Sequence, residues 1–180
     1  MEQELKLCTI EDAYVRYLST YDNRVTSNKE NNRKFERKYL GTVLSVNGVN
    51  YFVPLASPKH SDFHNDKDGV KRIRKNIIPI IRMTDVEKDG SITLIGTLKF
   101  NNMIPVLDSV VMKYDIANEK DVEYQNLVYK QWDYIRTHKS EILKNARTIY
   151  NQKTKNIKGI GYLDNTVDFL LLEEKANGYA

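Results

Sequence analysis

The sequence predicts an α+β domain in which helices cover a predominantly antiparallel β-sheet. Strand-like runs rich in β-branched and aromatic residues fill the first two thirds of the chain, and turn-forming residues separate them. The last third changes to helical spacing, which predicts helices over residues 124–135, 142–150 and 168–176. A chain of 180 residues with 41% hydrophobic residues can bury one core, so we expect a single domain over residues 1–180.

The N-terminal part of the sequence predicts a short strand, a helix and a long loop. Residues 5–8 alternate weakly between apolar and polar side chains, which favours the strand. The stretch Thr9-Ile10-Glu11-Asp12 resembles a capping box, so we expect a helix that begins there and carries an apolar and aromatic stripe to Tyr21. Residues 22–38 have many charges and no periodicity, which predicts a long mobile loop.

Turn-forming residues bound the predicted strands of the sheet. Asn47-Gly48 tolerates the positive φ angles of a type I′ turn, so the segments on either side of it, 39–46 and 49–55, are predicted as a hairpin. Pro79 lacks an amide donor and indicates that the strand around it is an edge strand or carries a bulge. The remaining predicted strands cover residues 77–83, 91–100 and 104–114.

The sequence shows no feature of a secreted or membrane protein. Cys8, the one cysteine, has no partner for an internal disulfide and is predicted to be a buried structural thiol. Residues 1–12 carry acids where a signal peptide needs a basic start, and no apolar run approaches the length of a membrane span. We therefore expect a cytoplasmic protein without a membrane partner.

Positive charge is concentrated in three stretches of the chain. Residues 24–38 hold six basic and two acidic residues, residues 59–82 seven and three, and residues 139–158 six and one, although the whole chain carries only +4. One such stretch is often only solvated surface, but three in one domain favour a polyanionic partner, because lysine and arginine bind phosphates. The 12 tyrosines add stacking surfaces for unpaired bases, although most of them are expected in the core.

Motifs that would indicate nucleotide hydrolysis or zinc chemistry are absent. The sequence contains no P-loop, no dinucleotide-binding glycine motif, no HExxH or GxSxG, and no cluster of cysteines and histidines. His60 and His64, with Asp62 and Asp66, have a spacing that could hold a metal on a helix. In a loop they are read more simply as surface histidines, and neither a metal site nor a cofactor is expected.

Ser57-Pro58-Lys59-His60 places a hydroxyl, a fixed turn and a cation together at the end of a predicted strand. Sites are often built from loops at strand ends, because the scaffold holds them rigidly. Ser-Pro is also a common way to start a turn. These four residues alone therefore leave both a functional site and a plain turn open.

Several short segments, in order along most of the chain, carry a family resemblance. They are AYVRYL (13–18), YLGTVL (39–44), YFVPLASPK (51–59), FNNMIPV (100–106) and YKQWDYIR (129–136). In order and spacing they resemble the ToxN/AbiQ toxins of type III toxin-antitoxin systems. The resemblance implies a compact, twisted antiparallel sheet flanked by helices, similar to the fold of MazF/Kid-type ribonuclease toxins.

The same resemblance implies an activity and a set of partners. The chain is expected to be a sequence-specific endoribonuclease that cuts cellular or phage mRNA and serves phage defence by abortive infection. It is expected to process its own repetitive antitoxin RNA and to be inhibited by it. That RNA is expected to form small pseudoknots that assemble with the protein into a closed ring, and no DNA partner is expected.

The family's site residues map onto matching positions of this chain. The cleft lysine falls on Lys59, the hydroxyl residue on Ser57 and the helix tyrosine on Tyr14. Metal-free RNA cleavage needs proton removal from a 2′-OH, charge stabilisation at the phosphate and protonation of the leaving 5′ oxygen. We expect Lys59 to stabilise the phosphate, Ser57 to hold a phosphate oxygen or the 2′-OH, and Tyr14 to position or relay a proton. His60 or His64 is a candidate for the unassigned acid or base, and a core role for Tyr14 stays open.

Two positions depart from the family pattern. A threonine found before the serine in some members is Ala56 here, so any role of that hydroxyl is missing. A second tyrosine found in some relatives has no evident match before the hairpin, where Phe35 and Arg33 are the alternatives for its place.

The basic stretches supply the candidate RNA-binding residues. These are Arg33, Lys34, Arg37, Lys38, Lys71, Arg72, Arg74, Lys75, Lys153 and Lys155. Two other classes of protein stay open beside the ribonuclease toxin. One is a non-catalytic RNA-binding protein, and the other is a small-molecule enzyme with a basic pocket.

Overall fold

The computed structural model of the protein describes residues 4–28 and 34–179. Within these residues the chain forms nine strands and four helices, with short 3₁₀ turns between several of them. In chain order the elements are β1 (Lys6–Ile10), α1 (Asp12–Tyr21), β2 (Tyr39–Val46), β3 (Val49–Ala56), β4 (Phe63–Asn65), β5 (Lys71–Ile73), β6 (Ile80–Val86), β7 (Ile92–Lys99), β8 (Ile104–Val106), β9 (Val111–Lys113), α2 (Val122–Thr137), α3 (Lys139–Thr154) and α4 (Phe169–Asn177).

Seven strands form one antiparallel sheet in the order β6-β7-β3-β2-β1-β9, and β8 pairs with β3 beside this path. A separate small hairpin joins β4 to β5. The helices pack on the large sheet, with α3 on β2, α4 on β8 and α2 on β6 and β7. The predicted α+β class, an antiparallel sheet flanked by helices, is confirmed.

The hairpin of β2 and β3 turns at Asn47 and Gly48, whose φ angles are 50° and 80°. Positive φ at both central residues is the requirement of a type I′ turn, so the predicted hairpin is confirmed. The single thiol behaves as predicted too, since Cys8 lies in β1 and is 1% exposed. Side chains of α3 and α4 fill the core between helices and sheet, and the fully buried ones include Ile142, Ile149 and Leu172.

Three predicted element bounds are wrong. Helix α1 begins at Asp12 rather than at Thr9, which lies in β1 opposite Met112 of β9. Pairing with β9 satisfies the backbone of Thr9 in the sheet, so its side chain does not cap the helix. Residues 104–114 form two short strands that pair with different partners, β8 with β3 and β9 with β1. Pro79 precedes β6, which is an edge strand of the sheet and begins at Ile80.

The segment that was expected to form a long mobile loop is fixed at both of its described ends. Asp22, Val25 and Asn28 are buried, and the side-chain amide of Asn28 donates to the carbonyl oxygen of Ile10 at 2.9 Å. The hydroxyl of Tyr39 donates in turn to the amide oxygen of Asn28 at 2.7 Å. Residues 29–33, which include the candidate Arg33, lie outside the described residues.

Among the residues that the structure describes, no helix has both the length and the apolar character of a membrane span.

Candidate active site

The structure forms a cleft where β3 ends and the chain leaves the sheet. Ala56, the last residue of β3, pairs with Thr97 of the neighbouring strand β7, and this pairing fixes the end of the strand. Ser57, Pro58 and Lys59 follow directly and line a cleft of about 390 Å³. The other lining residues are Asn23, Arg24, Val25, Thr26, Arg37, Pro54, Ala56, Lys99 and Asn102.

The cleft is cationic. Its described lining includes four basic residues, Arg24, Arg37, Lys59 and Lys99, and no aspartate or glutamate. Ser57 and Lys59 are exposed, so a molecule in the cleft can reach the hydroxyl and the ammonium group. Cations that converge in a concave site raise the local concentration of phosphates. Lys99 was not predicted, because it lies outside the three basic stretches of the sequence.

Two arginines of the lining are fixed by hydrogen bonds. Arg37 is only 2% exposed, and its guanidinium donates to the carbonyl oxygens of Ser27 at 2.9 Å and of Leu55 at 3.1 Å. Arg24 pairs with the carboxylate of Asp22 at 2.8 Å. Burial raises the pKa of Asp22, but hydrogen bonds from Arg24 and from a backbone N–H outweigh it and lower that pKa below its ordinary value. Both arginines are therefore held in place as cations.

A buried ion pair lies directly beneath Lys59. The backbone N–H of Lys59 donates to Oδ2 of Asp62 at 2.8 Å, and Oδ1 of the same carboxylate accepts from Nε of Arg82 at 3.0 Å. The side chains of Arg82 and Asp62 are 6% and 4% exposed. A further N–H of Arg82 donates to the carbonyl oxygen of Lys75 at 3.0 Å, so the pair also contacts the basic segment before β6.

Sequence reasoning did not assign these roles to Asp62 and Arg82. Asp62 was considered only beside the histidines, and Arg82 only as part of a basic stretch. A usable signal was present for Arg82, since Ile80, Ile81 and Met83 surround it in a strand with apolar side chains. A cation at such a position requires a buried acidic partner.

Tyr14 lies outside the cleft, in the core. It is fully buried, and its hydroxyl donates to the carbonyl oxygen of Pro105 at 2.8 Å. Its ring packs edge-on against Tyr179 with 4.9 Å between ring centroids. Burial raises the pKa of Tyr14, and the nearby Tyr17 and Tyr179 hydroxyls raise it further. This setting favours the structural role that the sequence left open, rather than proton transfer in the cleft.

A family model described as Toxin ToxN, type III toxin-antitoxin system, matches residues 6–177. The chain belongs to this family. It is 31% identical to Endoribonuclease AbiQ of Lactococcus lactis subsp. lactis over 181 residues, covering 100% of this chain and 92% of that protein. It is 28% identical to Endoribonuclease ToxN of Pectobacterium atrosepticum, covering 95% of this chain and 91% of that one.

The fold agrees with that of a solved toxin of a type III toxin-antitoxin system. A structure from a bacterial type III system, in which a non-coding RNA pseudoknot selectively inhibits the toxin, superposes with a TM-score of 0.77. The two chains are 30% identical, and the superposition covers 98% of each. The resemblance inferred from the short segments is therefore confirmed.

The two departures from the ToxN pattern have different surroundings. Ala56 lies in the cleft lining directly before Ser57, so this position offers the cleft a methyl group and no hydroxyl. Phe35 does not belong to the cleft lining in the described part of the chain. Its ring stacks on Tyr124 with 3.9 Å between centroids, while the other alternative, Arg33, lies outside the described residues.

The two histidines do not join the described cleft lining. His60 is exposed and directly follows Lys59 in a short 3₁₀ turn, and His64 is exposed in β4. Over residues 4–28 and 34–179, no three His, Cys, Asp or Glu side chains converge as metal ligands.

Four of the candidate RNA-binding residues share one groove. Lys71, Arg72, Arg74 and Lys75 line a depression of about 700 Å³, which we call the basic groove. Its other lining residues are Ile73, Asn76, Arg82, Thr84, Gly90, Ser91, Ile92 and Tyr134. Arg82 thus belongs both to the lining of the basic groove and to the ion pair beneath Lys59.

The remaining basic candidates are dispersed. Lys34 is exposed and pairs with Asp121 at 2.6 Å, and Lys155 is exposed after α3. Lys153 donates to the carbonyl oxygen of Leu163 at 2.8 Å. Residues 37 and 38, which end the predicted long mobile loop, are buried. Lys38 is 7% exposed, with its ammonium 4.2 Å from the Tyr114 ring centroid. Arg37 is buried beside the cleft. Both residues directly precede the central strand β2, which places them close to the core.

Proposed function

We propose that the chain is an endoribonuclease toxin whose active site is the cleft of Ser57 and Lys59. The observation that carries the proposal is the setting of Lys59, which is exposed in a cleft with three further basic residues and held by a buried ion pair beneath it. Relatives that are 28% and 31% identical along nearly the whole chain are endoribonucleases by name. Both observations point to RNA as the substrate.

The proposed reaction is a transesterification within the RNA strand that uses no metal. The ribose 2′ oxygen attacks the adjacent phosphorus and loses its proton to a base, while the bond to the 5′ oxygen breaks and that oxygen receives a proton. The products are a 2′,3′-cyclic phosphate and a 5′-OH. Lys59 stabilises the charge of the pentacoordinate phosphate, and Ser57 holds a phosphate oxygen or the 2′-OH. His60, which directly follows Lys59 in the chain although it does not join the described cleft lining, is the candidate for acid or base, and no cofactor is required.

The proposed partner in the resting state is an antitoxin RNA of small pseudoknot repeats. The protein would process this RNA and remain bound to it in a closed ring, with the cleft occupied. Release would let the cytoplasmic toxin cut target mRNA in a sequence-specific way, as a phage defence by abortive infection. DNA would not be cleaved, because it lacks the 2′-OH that attacks. The basic groove supplies cations for the phosphates of either RNA.

The alternative is a non-catalytic RNA-binding protein, and one observation favours it specifically. The basic groove has five basic residues and the aromatic Tyr134, and it would bind RNA whether or not the cleft is catalytic.

The test is cleavage of total RNA by the purified, RNA-free protein in EDTA, beside Lys59→Ala. Fragments that end in cyclic phosphates, formed by the wild-type protein and absent with Lys59→Ala, are the expected result. Intact RNA that the wild-type protein nevertheless binds tightly would replace the proposal by the RNA-binding alternative. A matched DNA strand serves as the control, and it should stay intact.

A further inference from the structure

The ion pair of Asp62 and Arg82 connects the cleft with the basic groove. On the cleft side, the Asp62 carboxylate accepts from the backbone N–H of Lys59. The backbone N–H of Asp62 donates in return to the Lys59 carbonyl oxygen at 2.9 Å. On the groove side, Arg82 donates to the carbonyl oxygen of Lys75 at 3.0 Å. The two regions that would contact RNA therefore share one buried support.

Further hydrogen bonds extend this support along the groove. The carbonyl oxygen of Asp62 accepts from the backbone N–H of Arg74 at 2.8 Å. The side-chain oxygen of Asn76 accepts from the backbone N–H of Arg82 at 2.7 Å, and its amide donates to the Tyr134 hydroxyl at 3.2 Å. The segment of residues 74–76 is thereby bound to the same two residues that hold the turn after Lys59.

Because the ion pair is buried, its hydrogen bonds depend on one arrangement of the two side chains. Carboxylate and guanidinium are both nearly excluded from solvent, so each needs all of its partners, and water cannot replace a lost one. A planar guanidinium can donate to Asp62 and to Lys75 at once, whereas an ammonium on a flexible stem has no comparable fixed fork. The pair therefore holds both loops, the turn after Lys59 through Asp62 and the segment before β6 through Arg82.

We infer that Asp62 and Arg82 are positioning residues of the ribonuclease, which hold Lys59 at the scissile phosphate and align the basic groove with it. The inference rests on the proposed function. It assigns the two residues different kinetic effects. Asp62 acts on the chemical step through Lys59, and Arg82 acts on RNA binding through residues 74–76.

The first variant is Asp62→Asn, assayed on an oligoribonucleotide long enough to fill cleft and groove. The variant keeps a side chain of the same shape but loses the charge that orders the turn. We expect kcat to fall about 10- to 100-fold with KM nearly unchanged, since a displacement of about 1 Å can cost that much. The matched control is Asp85→Asn, on the same strand as Arg82. It removes the partly exposed pair of Asp85 with Lys130 and should leave kcat and KM unchanged.

The second variant is Arg82→Lys, which keeps the cation but not the two simultaneous contacts. We expect KM to rise about fivefold and kcat to stay near the wild-type value. A loss of folded protein alone would reduce the apparent kcat of both variants and leave KM unchanged. The assays are therefore run at a temperature where circular dichroism shows each variant to be folded, and Arg82→Lys carries the test if Asp62→Asn does not fold.

The outcomes distinguish a failure of the proposed ribonuclease function from a failure of the positioning role of Asp62 and Arg82. If the wild-type protein cleaves neither total RNA nor the oligoribonucleotide, the proposed function fails. If the wild-type protein cleaves and the folded variants keep wild-type kcat and KM, the proposed function stands and the positioning role is overturned. A decrease in kcat for Asp62→Asn together with a separate increase in KM for Arg82→Lys is the result that supports it.

Discussion

The cleft and the tyrosine cluster of the core differ in where their polar atoms find partners. In the core, the hydroxyls of Tyr51 and Tyr150 both donate to Oε1 of Glu173, at 2.5 and 2.9 Å, and the rings pack on Phe169. In the cleft, Ser57 and Lys59 are exposed, while the ion pair of Asp62 and Arg82 that holds the Lys59 backbone is buried. Polar groups that are satisfied internally fix the fold, whereas polar groups presented to solvent by buried supports are available for chemistry.

The largest effect should come from removing the buried cation beneath the cleft. Arg82→Met leaves the Asp62 carboxylate buried without its ion-pair partner, and we expect the free energy of unfolding to fall by about 3–5 kcal/mol. Urea denaturation measures the change. Arg72→Met is the matched control, because Arg72 is exposed and pairs with a half-buried Asp66, so this pair should contribute less than about 1 kcal/mol. Similar losses in the two variants would contradict the contrast between buried support and surface charge.

The next effect is on activity alone. Lys59→Met should slow cleavage about 100- to 1000-fold, as expected for the loss of one group that stabilises transition-state charge, about 2.7–4 kcal/mol. The side chain is exposed, so the free energy of unfolding should hardly change. Single-turnover cleavage of an oligoribonucleotide and urea denaturation measure the two quantities. Lys88→Met, in the exposed turn between β6 and β7, is the control and should cleave like the wild type.

The sequence predicted the fold where local signals and burial agree. Asn47-Gly48 determines the hairpin of β2 and β3, and helical spacing located α2, α3 and α4. The prediction from the sequence failed where the pairing of distant strands determines the secondary structure. Thr9 looks like a helix cap, but strand β9 pairs with it in the sheet, and that partner lies about a hundred residues further along the chain. Such long-range pairing has no local signature.

Only part of the candidate site was predicted, because several of its residues come together through long-range contacts. Ser57 and Lys59 were located because they follow a strand directly and match a family segment. Arg24, Lys99 and Arg82 join the site from other elements, and only the fold brings them together. Charge counting also misplaced Lys38, since a lysine in a basic stretch can still be buried against aromatic rings.

A pH titration would sharpen the contrast between cleft and core. Burial and the nearby Glu173 raise the pKa of Tyr150 to about 12, above the value of about 10 for an unfolded tyrosine. The unfolded state therefore loses its proton first, and stability that is present below about pH 10 is lost as the pH rises toward 12. Each such tyrosine adds up to about 1.4 kcal/mol per pH unit to this slope. Tyr150→Phe should make the slope shallower in urea denaturation, and Tyr129→Phe, which removes a hydroxyl at an exposed site on α2, is the matched control.

The smallest expected effect is that of Tyr14→Phe. This variant also tests directly whether the core tyrosines are separate from the catalytic cleft. Loss of the hydroxyl leaves the Pro105 carbonyl oxygen without this donor and should lower the free energy of unfolding by about 1 kcal/mol. Cleavage should remain at the wild-type rate, because Tyr14 lies in the core and not in the cleft lining. A folded Tyr14→Phe protein that binds RNA normally but cleaves it tenfold more slowly would place Tyr14 in the catalytic machinery. Helix α1 would then contribute a catalytic residue as well as core residues, and the separation between core tyrosines and the cleft would not hold.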